Sequence, residues 1–90
     1  MAVYAYVLFK VSSGSEREIC KKIVDFDEVL ESSIIYGEYD LIAKIKAENL
    51  DRLEEIIEKI RTIPSVVLTS TMIVARAYKG KTQRNVQCKD

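Results

Sequence analysis

Hydrophobic and polar residues alternate along the first part of the chain, a pattern typical of a β-strand. In residues 2–11 one side of the predicted strand is apolar throughout, and the other carries two tyrosines, a leucine and a lysine. Residues 40–47 alternate in a similar way, while residues 29–36 and 66–77 contain many of the β-branched and apolar residues that strands favour. The sequence therefore predicts four strands over these ranges.

Two segments between the predicted strands repeat their apolar residues every three or four positions, as amphipathic helices do. Ser15 and Glu18 have the spacing of a capping box at the start of the first helix, and Asn49 is predicted to cap the second helix, which Pro64 ends. The element order is then β-α-β-β-α-β. Because crossovers are right-handed, both helices lie on one face of a four-stranded antiparallel sheet, which predicts an α+β, ferredoxin-like sandwich.

The face of the sheet without helices, called the open face below, is expected to be largely apolar. If the more apolar side of each strand faces the helices, the open face carries Tyr4, Tyr6, Leu8, Ile42, Thr69, Thr71 and Ile73. Burying each large apolar side chain is worth about 1.5–3 kcal/mol, so a patch of this size seldom stays in contact with water.

We therefore predict a homo-oligomer, since twofold dimers are the commonest solution. The predicted dimer interface comprises Tyr4, Tyr6, Leu8, Ile42 and Ile73. The alternative is a monomer whose tyrosines tolerate water.

Composition and charge indicate a single globular domain. The chain has 90 residues, of which 48% are hydrophobic and 31% charged, and we assign residues 1–77 to the domain. Residues 78–90 hold 4 of the 14 basic residues and 1 of the 14 acidic ones, so we predict a polar, basic C-terminal tail. So few cations are weak evidence for nucleic acid, and we expect no direct DNA binding.

The sequence also bears on location. It has no apolar run long enough for a membrane span and no signal-peptide features at its start. Its two cysteines, Cys20 and Cys88, are too few for a disulfide framework. We therefore expect a cytoplasmic protein with no membrane partner.

The residues that usually carry catalysis are scarce. The chain contains no histidine, neither cysteine has a neighbour at metal-ligand spacing, and the three glycines form no phosphate-binding loop. We therefore predict no catalytic residues, no metal and no cofactor.

Polar groups suited to a ligand occur at two places, in Gly37-Glu38-Tyr39-Asp40 and in Thr69-Ser70-Thr71. A bend at Gly37 can leave backbone groups unpaired, and Thr69 and Thr71 point the same way. N–H and OH groups suit a carboxylate and Asp40 suits an ammonium, so together they suit an amino acid or similar zwitterion. The alternative is a plain polar turn and ordinary strand threonines.

The stretch from Val29 to Ala75 resembles the effector-binding (RAM) domain of the Lrp/AsnC, or feast/famine, transcriptional regulators. The most specific parts are "GEYDL", "IRTIPSVV" and "TST". The resemblance implies a fold that dimerises through its sheet into an αβ-barrel-like assembly, often builds rings of dimers, and binds amino acids between dimers. Gly37, Tyr39 and Asp40 would then frame the ligand, and Thr69 and Thr71 would come from a neighbouring subunit.

Two features depart from that family's pattern. Ser65 stands where a glycine commonly follows the proline, and the chain begins at the first strand, whereas full regulators carry an N-terminal helix-turn-helix domain. The resemblance is therefore to the stand-alone form, which we expect to lack a DNA-binding domain and to modulate full-length regulators by mixing subunits with them.

Two other functions remain open. A cofactor-free enzyme of the dimeric αβ-barrel type would need an enclosed cavity within one subunit, and the missing histidine argues against it. A purely structural assembly module would have an empty pocket, and a screen of amino acids by thermal shift would distinguish it from a sensor.

Overall fold

The computed structural model describes residues 2–82, and these residues form the predicted βαββαβ arrangement. The elements are β1 (Val3–Val11), α1 (Glu16–Ile23), β2 (Val29–Ile34), β3 (Leu41–Ala47), α2 (Leu50–Arg61) and β4 (Val66–Ile73). The four strands pair in an antiparallel sheet with the order β2-β3-β1-β4. The predicted fold class is confirmed, although β2 and β4 end earlier than predicted. Cys88 and most of the predicted tail lie outside the described residues.

The two helices begin in different ways. The side chain of Asn49 accepts a hydrogen bond from the backbone N–H of Arg52 at 2.8 Å, so the predicted cap of α2 is confirmed. The predicted capping box of α1 is wrong. The Ser15 hydroxyl donates to the carbonyl of Ser12 instead, because its backbone (φ −99°, ψ 3°) is not in the extended conformation of a typical N-cap.

The core lies between the helices and one face of the sheet. Alternate residues of β1 and β3 are almost completely buried and pack against one stripe of each helix. The fully buried large side chains are Val7, Phe9, Ile19, Ile23, Leu41, Ile45, Ile56 and Ile60. Among residues 2–82 no polar or charged residue is buried, so this layer is apolar throughout.

Strand β4 faces the opposite way from the prediction over most of its length. Val11 pairs with Val66 but Lys10 pairs with Leu68, so Val67 is an extra residue in β4, as in a β-bulge. Since side chains alternate between faces, one extra residue moves every later side chain to the other face. After the bulge the side chains on the open face are Leu68, Ser70 and Met72, and those on the helix side are Thr69, Thr71 and Ile73.

The open face is therefore mainly apolar along β1 and β4, apart from Lys10, and mainly polar or charged along β2 and β3, apart from Ile42. Tyr4, Tyr6, Leu8 and Ile42 lie on it as predicted, and Leu68 and Met72, about half exposed, extend the apolar strip. Its charged side chains are Lys10, Glu31, Lys44 and Lys46. The predicted place of Ile73 on this face is wrong, since it stands opposite Ala5 on the helix side.

Two local features lie at the ends of the elements. Arg52 of α2 forms an ion pair with Glu28, just before β2, with Nε and Oε2 2.7 Å apart. Ser65 has a φ of 81°, in the left-handed region that favours glycine. This conformation explains why glycine is common at this turn in the family that the sequence resembles.

Neither helix in residues 2–82 has the length and apolar character needed to cross a membrane.

Candidate functional site

The 37–40 turn, which joins β2 to β3, is built around a conformation that only glycine adopts easily. Gly37 has a φ of 134°, while a Cβ placed on it would meet no atom within 4 Å. The glycine is therefore required by the backbone and not by lack of space. Glu38 is exposed, and Tyr39 and Asp40 are half-buried.

Asp40 fastens this turn to the end of β1. Its backbone N–H donates to the carbonyl of Phe9 at 2.8 Å, and its carbonyl accepts from the N–H of Ile35 at 2.9 Å. Its carboxylate oxygen Oδ2 accepts a hydrogen bond from the backbone N–H of Val11 at 2.9 Å, where the β1–β4 register shifts. One carboxylate oxygen is thus already used within the subunit, an arrangement that the sequence did not reveal.

Lys10 is a neighbour of the turn that sequence reasoning missed. Its Nζ lies 5.8 Å from the ring centroid of Tyr39, within the range of a cation–π interaction. Lys10 is on the open face, at the end of β1 that Asp40 also contacts. The one signal in the sequence was a lone lysine in an otherwise uncharged strand.

The threonine pair, Thr69 and Thr71, lies on the other side of β1. Thr69 is opposite Phe9 and Thr71 is opposite Val7, so both hydroxyls are on the helix side of the edge strand β4. They do share a face, as predicted, but it is not the open face. Because β1 lies between β3 and β4, the threonine pair on β4 is about two strand spacings, roughly 10 Å, from β3, the strand that follows the turn.

The six predicted ligand residues therefore form two groups in one subunit. One group is the 37–40 turn, which contains Gly37, Glu38, Tyr39 and Asp40. The other group is the threonine pair, Thr69 and Thr71, and β1 runs between the two groups. The two groups are thus separate polar patches of one subunit.

Surface depressions lie elsewhere on the molecule, and residues 37–40 line none of the following three. One of about 250 Å³ at the β4 edge is lined by Arg61, Val66, Val67, Leu68 and Thr69. One of about 230 Å³ on the open face is lined by Tyr6, Glu31, Ser33, Ile42 and Lys44. The third of these depressions has the largest volume, about 580 Å³, and lies at the end of the sheet opposite the 37–40 turn. It is lined by Ala2, Glu28, Lys46, Ala47, Glu48 and Asn49.

The remaining titratable groups show little that could serve catalysis. The hydrogen bond from Arg52 lowers the pKa of Glu28, and the same bond raises the pKa of Arg52. The thiol of Cys20 lies 3.0 Å from the hydroxyl of Ser32, between α1 and β2. Within residues 2–82 no three His, Cys, Asp or Glu side chains are grouped so that they could hold a metal ion.

Comparison with known families gives one match, to the Lrp/AsnC ligand binding domain, over residues 4–84. The matched range includes the 37–40 turn, the threonine pair and all six elements of the fold except Val3, the first residue of β1.

Known proteins and structures agree with this match. The chain is 33% identical to the HTH-type transcriptional regulator FL11 of Pyrococcus abyssi over 82 residues, which are 91% of this chain and 54% of FL11. The chain thus spans about half the length of the curated relatives it matches. The crystal structure of FFRP-DM1 is 44% identical, with a TM-score of 0.76, over 80% of this chain and 97% of that one. Escherichia coli AsnC is 26% identical, with a TM-score of 0.80, over 88% of this chain and 54% of AsnC.

Proposed function

The chain belongs to the Lrp/AsnC ligand-binding domain family, and on that premise we propose that it binds an amino acid, or a similar small zwitterion, between the subunits of a homo-oligomer. The observation that carries the proposal is the separation of the two polar groups by β1. The 37–40 turn and the threonine pair form half-sites on different sides of one subunit. Each half-site is completed by the other half-site of a neighbouring subunit.

The surface offers two different contacts for such an assembly. The apolar strip of the open face, with Tyr4, Tyr6, Leu8, Leu68 and Met72, suits a sheet-to-sheet dimer. The 37–40 turn lies outside that strip, and the depression at the β4 edge shares only Leu68 with it, so these two regions suit a second contact, between dimers. Two distinct contacts on each subunit allow dimers to join into a closed ring.

The apolar core supports a binding function over an enzymatic one. An enzyme of the dimeric αβ-barrel type would hold its substrate between the sheet and the helices of one subunit. That space is filled by buried apolar side chains, and no buried polar side chain of residues 2–82 faces it. We therefore propose that the module is not catalytic.

The relatives suggest a regulatory setting. FL11 is described as a transcriptional regulator, and this chain matches about half of it. We propose that the module shares the open-face contact with full-length Lrp/AsnC regulators and so changes their assembly in response to an amino acid. It would then work in the same compartment as those regulators, the cytoplasm.

A ligand screen combined with sizing tests the proposal. We expect the purified protein to elute as an oligomer and at least one of the twenty amino acids to raise its melting temperature, because a ligand that binds only the folded state stabilises it. Thr71→Val should weaken the binding of that amino acid, as measured by calorimetry, without changing the size of the oligomer. The control is Thr82→Val, an exposed threonine outside both half-sites. A lone 10.3 kDa particle would disprove the proposal, and an oligomer that no amino acid stabilises would indicate a structural module.

A further inference from the structure

We propose that Arg61 binds the carboxylate group of the amino-acid ligand, together with the hydroxyl of Thr69, in the depression at the β4 edge. This inference rests on the proposed function. It adds a positively charged residue to a site whose predicted members are otherwise acidic, aromatic or neutral.

The fold brings Arg61 beside the threonine pair. Arg61 is the last residue of α2, and the chain turns through Pro64 and Ser65 before it enters β4 at Val66. Arg61 and Thr69 consequently line the same depression of about 250 Å³. That volume is slightly below the usual range for small-molecule pockets, about 300–1,000 Å³, so it suits a small ligand that a neighbouring subunit covers.

The charge of Arg61 is not paired with a carboxylate within the described part of the subunit. The ion pairs in residues 2–82 join Arg52 to Glu28 and to Glu55, and Arg61 takes part in neither. Its side chain is exposed to solvent. The planar guanidinium can donate two parallel hydrogen bonds to a carboxylate, which makes it the side chain best suited to that group.

The other half-site lacks a comparable cation for this purpose. The 37–40 turn presents the carboxylates of Glu38 and Asp40, which suit the ammonium group of a zwitterion. Lys10, the cation nearest to that turn, lies over the ring of Tyr39. When the turn of one subunit meets the β4 edge of the next, acidic groups and Arg61 stand on opposite sides of the ligand, which matches its two charges.

The edge position of β4 adds to the same binding surface. Since β4 has a neighbour on one side only, backbone N–H and C=O groups along its outer edge are not paired within the described sheet. Thr69 is half-buried and contributes its hydroxyl from the helix side of this edge. Together with Arg61 these groups offer several donors to one carboxylate.

A structural role is the competing explanation. A cation in the last turn of a helix interacts favourably with the helix dipole and needs no ligand. Lys59 lies in the same last turn of α2 but does not line the depression, so it provides a matched control for that role.

The test compares Arg61→Gln with Lys59→Gln by isothermal calorimetry, using whichever of the twenty amino acids stabilises the wild-type oligomer. We expect Arg61→Gln to weaken binding roughly ten- to hundredfold, the usual effect of losing charge-assisted hydrogen bonds, and Lys59→Gln to change it less than about twofold. Arg61→Lys keeps the charge but not the two-pronged geometry, so its affinity should fall between the two. The α-amide of the same amino acid should bind the wild type weakly and lose nothing further in Arg61→Gln.

Each outcome separates this inference from the proposed function. If no amino acid binds the wild type, the proposed function fails and the role of Arg61 fails with it. If the wild type binds an amino acid and Arg61→Gln binds it equally well, only the present inference is overturned. If Arg61→Gln dissociates the oligomer in the absence of ligand, Arg61 belongs to the contact between subunits, and the inference is also overturned.

Discussion

The side chain of Asp40 has one observed contact and one proposed role, which its sequence context does not separate. Its carboxylate accepts the N–H of Val11, which lies where the bulge interrupts the pairing of β1 with β4. The same carboxylate is half-buried beside the exposed Glu38 and is the group that we assign to a ligand's ammonium. At the scale of single residues, the hydrogen bond from Val11 needs an oxygen acceptor at position 40, whereas the proposed contact with an ammonium group needs the negative charge.

Asp40→Asn and Asp40→Ala distinguish the two roles. Asparagine keeps an oxygen that can accept the N–H of Val11 but removes the charge, so we expect near wild-type stability and amino-acid binding at least about tenfold weaker. Alanine removes both, and the lost hydrogen bond should also lower the free energy of unfolding by about 1 kcal/mol. Urea unfolding and calorimetry measure the two effects. Wild-type affinity in Asp40→Asn would show that the residue only fastens the turn.

At the scale of the elements, one inserted residue decides how β4 is used. Val66 packs against the core, Val67 is the extra residue, and from Leu68 onward the strand presents the other face. This shift puts the threonine pair on the helix side, at the edge of the sheet, and gives Leu68 and Met72 to the open face. The bulge therefore turns Leu68 and Met72 toward the surface proposed for dimerisation and the threonine pair toward the helix side.

The ion pair between Glu28, just before β2, and Arg52 of α2 predicts that the stability of the fold depends on pH. The hydrogen bond from Arg52 lowers the pKa of Glu28 below its usual 4.5, so the folded state favours the ionised form. A group whose pKa is lowered by folding contributes stability above its unfolded pKa and loses it as the pH falls through the folded value. Glu28→Gln should therefore melt at a lower temperature than the wild type at pH 7, and the difference should disappear in acid, well below pH 4.5.

Thermal melts at pH 7 and pH 3 measure this difference, with Glu58→Gln on the exposed side of α2 as the control. The control should melt close to the wild type at both values, because surface charges away from such pairs contribute little. A deficit in Glu28→Gln that is the same at both pH values would contradict the assignment.

At the scale of the whole molecule, the open face is a surface on which a single subunit leaves large apolar side chains exposed to water. Tyr4 and Tyr6 are each nearly 40% exposed, Met72 of β4 stands opposite Tyr6, and Leu68 stands farther along β4, opposite Lys10. No element of residues 2–82 covers this strip. We expect a second subunit to do so, which makes the assembly a condition for the ligand site.

Met72→Glu should disrupt that assembly. A carboxylate at this position would be buried without a partner in a sheet-to-sheet contact, and an unpaired buried charge is strongly unfavourable. We expect the variant to sediment as a monomer of about 10 kDa with unchanged helix and strand content by circular dichroism. Leu50→Glu is the matched control, since Leu50 is equally exposed but lies in the first turn of α2, where an acidic residue is tolerated. A Met72→Glu variant of wild-type size would show that the open face is not the contact.

The sequence by itself determined the element order, the sides of β1 and β3 that face the core, and the cap of α2. These features follow from local repeats: alternation in β1 and β3, three- and four-residue spacing in the helices, and Asn49 before the second helix. Each can be recognised within a few residues, so no knowledge of distant parts of the chain was needed. The family resemblance rested on equally local motifs around the 37–40 turn and the threonine pair.

Only the tertiary structure decided which way β4 faces, which partner Asp40 has and which residues lie together at the β4 edge. The reason is that the bulge exists only in the pairing of β4 with β1, and alternation along β4 alone cannot register an extra residue. Asp40 and Val11 are 29 positions apart, and Arg61 reaches Thr69 only because the chain folds back at Ser65. The pairing of β4 with β1 places Ile73 on the helix side, and the strand order places the 37–40 turn and the threonine pair on different sides of β1.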